Sequence, residues 1–115
     1  MNITLYGVRG SLATPGPSTA RYGGNTSCVG LTGPDGSVVV LDAGTGIRPL
    51  ALELPKGLTR VDVLLTHVHM DHILGLGFFG PLYDPGWRCT SGGRPAPRSA
   101  WRADSGATSP RRCSP

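Results

Sequence analysis

The chain lacks an apolar run long enough to cross a membrane, and it lacks the charged-then-apolar leader that is typical of secreted proteins. It has only three cysteines, which are far apart and form no C-x-x-C pair. An odd, scattered set of cysteines argues against a disulfide framework and is compatible with a reducing compartment. We therefore expect a cytoplasmic protein, and 115 residues limit it to one modest domain.

Aliphatic residues are missing from the last quarter of the chain. Residues 88–115 contain no Val, Ile, Leu, Met or Phe, and Trp101 is their only large apolar side chain. Such a segment buries too little apolar surface to offset the entropy of ordering, which is about 1–2 kcal/mol per residue for the backbone. The sequence therefore predicts a folding part, residues 1–87, and a disordered tail rich in Arg, Pro, Ser and Gly, residues 88–115.

The basic charge of the chain belongs to this tail. Residues 1–87 contain five basic and six acidic residues, for a net charge of −1, whereas residues 88–115 contain six arginines and one aspartate, for +5. The overall charge of +4 is therefore weak evidence about what the folding part binds. Nucleic-acid binding through the arginines remains an alternative, although no interleaved aromatic residues support it.

A reading-frame shift is a second explanation for the tail. If the codons after Arg88 are read one nucleotide earlier, Cys89 can become Val, Leu or Met, and Trp101 can become Leu. The shifted segment then gains the apolar content of a globular continuation. We hypothesise that residues 89–115 are a shifted-frame artefact, and a natural low-complexity tail is the alternative.

The folding part alternates between strand-like and helix-like patterns. Strands are predicted at residues 2–6, 26–31, 37–41 and 61–65, and helices at residues 47–54 and 72–79. The Val-rich run at 37–41 indicates a strand buried on both faces. Cys28 alternates with apolar residues and is predicted to be a small core side chain.

All three histidines of the chain lie in residues 66–72, T-H-V-H-M-D-H, directly after the apolar run 61–65. In an extended segment His67 and His69 share one face, Asp71 continues the alternation, and His72 turns inward as a helix begins. A helical site would pair these residues in different directions, so strand, loop and helix is the favoured order. Imidazole and carboxylate groups in this density predict a site for zinc, iron or manganese.

The pattern H-x-H-x-D-H at 67–72 resembles the signature of the metallo-β-lactamase-fold hydrolases. Residues 7–11 (G-V-R-G-S), 21–28 (R-Y-G-G-N-T-S-C) and 41–46 (L-D-A-G-T-G) resemble the branch that includes ribonuclease Z-like and cyclic-phosphodiesterase-like members. The resemblance covers about residues 3–87. It implies an α/β fold, the N-terminal half of an αβ/βα sandwich.

The resemblance also implies a site and an activity. Two divalent metal ions are expected, zinc first and manganese or iron as alternatives, with His67 and His69 on one ion and Asp71 and His72 on the other. Asp71 would also orient the attacking water or accept its proton. The implied reaction is hydrolysis of a small-molecule or nucleotide phosphodiester, or a related ester, by activated water.

Several flanking residues have open roles. Asp42 is either a group that holds the metal loop from behind or an ordinary turn aspartate. Arg9 and Ser11 lie in a Gly-flanked turn that either forms hydrogen bonds near the site or is an ordinary loop. Gly23 and Gly24 are expected to serve backbone geometry rather than phosphate binding.

The family also uses later ligands that this sequence does not supply, since no histidine follows His72. The second half of the sandwich is absent as well, so an apolar sheet face is expected to lie exposed. We predict that the isolated chain binds metal weakly and is poorly soluble or partly unfolded. A non-catalytic fragment that binds a metal ion or a partner is the alternative to a truncated hydrolase.

Overall fold

Five strands form one sheet in chain order. The computed structural model describes the backbone of residues 1–93 and the side chains of residues 1–88. The strands are β1 (Asn2–Gly7), β2 (Cys28–Thr32), β3 (Val38–Leu41), β4 (Arg60–Leu65) and β5 (Arg88–Gly93). β1, β2 and β3 pair antiparallel, while β3 with β4 and β4 with β5 pair parallel.

Short helices occupy the two crossovers that parallel pairing requires. Helix α1 (Ile47–Leu52) joins β3 to β4, and α2 (Met70–Ile73) lies between β4 and β5. Three 3-10 turns complete the described elements: Pro17–Thr19, Leu74–Phe78 and Gly80–Leu82. The α/β fold predicted from the sequence is confirmed. The second predicted helix, 72–79, starts earlier and turns into a 3-10 segment where two glycines weaken helical order.

The fold continues beyond the boundary that the sequence indicates. The tail is predicted to begin at residue 88, but Arg88–Gly93 pairs with β4 along its whole length, and Arg88 N–H also donates to Thr59 O at 2.7 Å. β5 therefore includes the first residues of the segment 88–115, because backbone pairing against a strand already in the sheet needs no large apolar side chain. The predicted division of the chain into residues 1–87 and 88–115 stays a prediction. Residues 94–115, where the rest of the predicted tail and most of the proposed frameshift lie, are outside the described residues.

One face of the sheet carries the core. Alternate valines of the two central strands point toward α1 and the segment after α2. The buried side chains are Val38, Val40, Val61, Val63, Ile47, Leu50 and Phe79. Cys28 is fully buried among them, as predicted, and burial together with the nearby charge of Asp42 raises the pKa of its thiol to about 12. No helix in residues 1–93 is long and apolar enough to span a membrane.

The opposite face of the sheet is apolar and open. Two cross-strand rows follow the register, Ile3–Leu31–Val39 and Leu5–Val29–Leu41–Leu64. Ile3 is 62% exposed, Leu5 65% and Leu64 46%. The prediction that β3 is buried on both faces is wrong for these residues, since Val39 and Leu41 are only half-buried. The expected exposed apolar face is present in the described part of the chain.

Candidate metal centre

The metal motif lies where two parallel strands end. β3 ends at Leu41 and β4 at Leu65, and Asp42 N–H donates to Leu64 O at 2.9 Å, so the following residues meet at one edge of the sheet. Ligand sites in α/β sheets commonly form outside the carboxyl ends of the strands. Residues 66–69 form a loop and α2 begins at Met70, which confirms the predicted order of strand, loop and helix.

Backbone hydrogen bonds hold α2 and the residue pair after it close to the turn that follows β3. Ala43 N–H donates to His72 O at 2.7 Å, and Gly75 N–H donates to Ala43 O at 2.9 Å. A Cβ atom on Gly44 would overlap the carbonyl oxygen of Asp71, and one on Gly75 would overlap the carbonyl oxygen of Gly44. Glycine at these two positions therefore allows the turn and the metal motif to approach at backbone distance.

The three imidazole rings form one cluster. The ring of His67 lies 4.5 Å from that of His69 and 4.0 Å from that of His72, measured between centroids. His67 and His69 thus lie side by side, as expected from their spacing in an extended segment. Both are exposed, whereas the side chain of His72 is 18% exposed.

Asp42 contacts the ring of His72 in this cluster and helps to hold the cluster in place. Its side chain is 7% exposed, and its φ of 60° lies in the left-handed region. Oδ1 accepts hydrogen bonds from the backbone N–H of Thr66 at 2.8 Å and from the Thr66 hydroxyl at 2.9 Å. Oδ2 lies 3.3 Å from the donating Ser27 hydroxyl and 2.8 Å from His72 Nδ1. This geometry favours a role for Asp42 in holding the loop 66–69, which contains the first two histidines, over the role of an ordinary turn residue.

Hydrogen bonding keeps Asp42 ionised. Burial raises the pKa of its carboxyl, but the bonds from Thr66 and the contact with His72 outweigh burial, and the pKa lies below its ordinary value. An ionised carboxylate only accepts hydrogen bonds. The groups around Asp42 must therefore supply the protons.

This proton count determines the tautomers of two histidines. The Thr66 hydroxyl donates its one proton to Asp42, so it accepts from Nδ1 of His67, which lies 3.0 Å away. Nδ1 of His72 faces the Asp42 carboxylate directly and carries its proton there, although its N–H is not well aligned with the oxygen. In the neutral form of either ring, a proton on Nδ1 leaves the lone pair of Nε2 for a metal ion.

Asp71 is oriented by the loop between β1 and β2. Its Oδ2 accepts the backbone N–H of Ser11 at 2.9 Å, and this bond is the main reason that the pKa of the Asp71 carboxyl is lowered. The same oxygen lies 3.5 Å from Nε2 of His72. Two ligand atoms of a tetrahedral site with bonds of about 2.0–2.2 Å are about 3.3–3.6 Å apart. Asp71 and His72 thus fit two corners of one divalent-cation site.

The fit is partial. Within residues 1–88, no three His, Cys, Asp or Glu side chains converge as one ion requires. The structure therefore gathers His67, His69, Asp71 and His72 at one edge of the sheet without closing a coordination shell. Their assignment to two ions stays a prediction.

The flanking residues separate into two groups. Ser11 contacts the site through its amide, whereas the Arg9 side chain turns away and donates from Nε to Leu12 O at 2.9 Å. Gly23 has a φ of 81°, and a Cβ on Gly24 would overlap the Thr14 carbonyl oxygen, so both serve backbone geometry as expected.

Thr66 is the functional residue to which sequence reasoning assigns no role. It links Asp42 to His67 through a hydroxyl group at the end of β4. A hydroxyl residue directly before the first histidine is the available signal, but only the register of β3 against β4 reveals that Asp42 lies beside it.

The family model of the Metallo-beta-lactamase superfamily matches residues 21–111, which is most of the chain. The chain belongs to this superfamily. No curated protein and no solved structure matches the chain. The superfamily match begins later than the predicted 3–87 and extends into the segment assigned to a shifted frame. It does not distinguish the ribonuclease Z-like branch. Superfamily membership indicates a metal-dependent hydrolase.

Proposed function

We propose that this chain carries one part of a two-metal hydrolase centre whose complete form cleaves a phosphodiester or a related ester. The observation that carries the proposal is the pairing of Asp71 Oδ2 with His72 Nε2 at 3.5 Å, beside two further imidazoles. Membership of the superfamily supports metal-dependent hydrolysis in general. The phosphodiester preference rests on the resemblance of residues 7–11 and 41–46 to one branch.

In this proposal His67 and His69 hold one divalent ion and Asp71 and His72 hold the other, zinc being the first choice. The ions would lower the pKa of a water molecule and stabilise the charge of the attacked ester. Asp71 orients that water or accepts its proton. Asp42 contacts Nδ1 of His72 directly and is linked to Nδ1 of His67 through the Thr66 hydroxyl, so Nε2 of each ring is the nitrogen left for a metal ion.

Further ligands must come from residues that this sequence does not contain, because all three histidines are already in the motif. The frameshift hypothesis supplies a source. Sequencing the gene across codon 88 and downstream tests it, since codons that encode further histidines and an aspartate in the shifted frame support the proposal. A reading frame that stays as written, without such codons downstream, contradicts it.

The enzymatic proposal is tested on the frame-repaired protein. We expect zinc- or manganese-dependent hydrolysis of bis(p-nitrophenyl) phosphate, and loss of at least about 100-fold in the rate when Asp71 becomes Asn. Asp84→Asn serves as a matched carboxylate control outside the motif. An equal rate in both variants, or hydrolysis that persists in excess chelator, rejects the proposal.

A second candidate is a non-catalytic fragment that binds a metal ion or a partner. The partial fit favours it for the 115-residue chain itself, since no three ligands converge in the described residues. A third candidate, nucleic-acid binding by the tail, is tested with a chain that ends at Gly93, where β5 ends. Salt-dependent binding of RNA or DNA that disappears in the shortened chain would support it. All three proposals include a cytoplasmic location, which we propose from the odd and scattered set of cysteines in the sequence.

A further inference from the structure

The open face of the sheet is aliphatic across the first three strands. The side chains that β1, β2 and β3 contribute to it are Ile3, Leu5, Val29, Leu31, Val39 and Leu41. β4 adds Leu64, which pairs with Leu41 in the register and is 46% exposed. At the other border, Ile3 is 62% and Leu5 65% exposed. A contiguous apolar surface of this kind marks an interaction site on a soluble protein.

Charged side chains lie at the border of this face that β4 and β5 form. Arg60 pairs with Arg88 in the register, and Asp62 pairs with Val39. Nη2 of Arg60 lies 3.0 Å from Asp62 Oδ1, so these two charges compensate each other. The face therefore has an apolar centre on β2 and β3 and a polar border to one side. An apolar centre with a polar rim is the usual anatomy of a protein–protein interface.

Residues 94–115 have a composition that suits them poorly as a cover for the open face. They contain no Val, Ile, Leu, Met or Phe, and they contain five arginines and one aspartate, for a net charge of +4. Burial of arginines against aliphatic side chains is costly, because the aliphatic groups offer no ionic or hydrogen-bonding partner. A favourable cover for the face therefore comes from another molecule with an apolar surface.

A second copy of the chain presents such a surface. Two sheets pack face to face about 10 Å apart, and their inner side chains interdigitate. A two-fold axis parallel to β2 and β3 lays β4 of one copy over β1 of the other, so each polar border meets the far side of its partner. The Arg60 side chains of the two copies then lie apart, and the aliphatic rows of both copies are covered.

We infer that the open face is a self-association surface, through which two copies of the 115-residue chain pack face to face as a two-fold dimer. The inference does not rest on the proposed function. Four strands about 4.8 Å apart, with about five residues of about 3.3 Å each, span about 300 Å² of flat sheet. That size places the pair among small, reversible interfaces, which bury about 1,200 Å² or less in total. The dimer therefore forms in a concentration-dependent way.

Hydroxyl-radical footprinting of the unsubstituted 115-residue chain, at low and at high protein concentration, tests the inference directly. Oxidation of Leu5 and Leu64 should fall at the high concentration, whereas Leu52, which is 84% exposed on α1, should be oxidised equally at both. Protection of Leu5 without Leu64 would mean pairing along the β1 edge, and would overturn the inference. Protection of Leu64 that is the same at both concentrations would mean that residues 94–115 cover the face, and would also overturn it.

A matched pair of substitutions gives a second test by sedimentation equilibrium. Ile3→Lys places a charge in the interface twice, and the dissociation constant of the dimer should rise at least about tenfold. Leu52→Lys makes the same change at an exposed position on α1 and should leave the constant unchanged. Equal constants in the two variants, open-ended aggregates in place of a dimer, or a monomer at every concentration would overturn the inference. Circular dichroism checks that both variants fold, and if Ile3→Lys does not, the footprint of the unsubstituted chain decides.

Discussion

At the scale of single residues, the site depends on hydroxyl and carboxylate groups behind the histidines. Asp42 and Thr66 lie below the rings of His67 and His72 and set which nitrogen carries the proton. The histidines alone therefore do not define the site. Its donor atoms are fixed by two residues at the ends of β3 and β4.

Removal of the Thr66 hydroxyl tests this link. In Thr66→Val the methyl group replaces the donor to Asp42 and the acceptor for His67 Nδ1. We expect the free energy of unfolding in urea to fall by about 1 kcal/mol, the usual value of a hydrogen bond to stability. Thr66→Ser keeps the hydroxyl and is the matched control. A Val variant as stable as the Ser variant would show that the bonds are not formed in solution.

Acid stability tests the charge state of Asp42. Its pKa is lowered in the folded chain despite burial, because of hydrogen bonds from Thr66 and the contact with His72. A carboxyl with a lowered pKa stabilises the fold above its unfolded pKa of about 4, and this stabilisation is lost as the pH falls through the folded pKa.

Urea midpoints measured between pH 7 and pH 3 should therefore decline for the unsubstituted chain. The decline should be shallower in Asp42→Asn, which has no carboxyl to protonate at this position. Some decline remains, because the pKa values of Asp35 and Asp71 are also lowered by hydrogen bonds. If the substituted chain declines as steeply as the original, Asp42 is not the ionised anchor that the geometry indicates.

At the scale of elements, β4 shows how the two faces of the sheet differ: the core covers one face, and the other face is open. Val63 is fully buried against the core that includes α1, whereas its neighbour Leu64 is 46% exposed on the other face. The open face is apolar across four strands. Neighbouring residues of one strand should therefore differ strongly in what they contribute to stability.

The two residues make a matched pair of substitutions. Val63→Ala should lower the free energy of unfolding by about 2 kcal/mol, because it leaves a cavity in the core. Leu64→Ala should change it by about 0.5 kcal/mol or less, as is usual at an exposed position. Both are measured by urea denaturation at low protein concentration. If Leu64→Ala is as costly as Val63→Ala, another surface covers the open face in solution.

The elements also show what the sequence can predict. The alternation of apolar residues predicted β1 to β4 and α1 within about two residues at each end, and Cys28 in the core. It did not predict β5, because R-C-T-S-G-G has no apolar pattern and owes its place to backbone pairing with β4. The sequence pattern also predicted that both faces of β3 are buried, because a run of valines does not show whether a second layer of structure covers the sheet.

At the scale of the whole molecule, the motif could be predicted from the sequence while its support could not. His67, His69, Asp71 and His72 are adjacent in sequence, so their spacing alone indicates a metal site. Ser11, Asp42 and Thr66 are brought together only by the register of the sheet and the path of the first loop. The superfamily match agrees with the motif and leaves the substrate to experiment.

The open apolar face has a consequence for the whole chain. Side chains such as Ile3 and Leu5 on an uncovered sheet favour association between copies. We expect the 115-residue chain to sediment as a concentration-dependent mixture, and Leu5→Lys to shift it toward monomer without loss of secondary structure. Sedimentation velocity and circular dichroism measure the two properties. A monomer at all concentrations before substitution would contradict this expectation.

The most direct test of the central claim is zinc binding by the 115-residue chain, measured by titration calorimetry on three proteins. The unsubstituted chain should bind zinc more weakly than micromolar, because the coordination shell is partial. Asp71→Asn should weaken binding further, and Asp84→Asn should leave it unchanged. Equal affinity in all three proteins would contradict a metal site at residues 67–72, and micromolar or tighter binding by the unsubstituted chain would contradict its being incomplete.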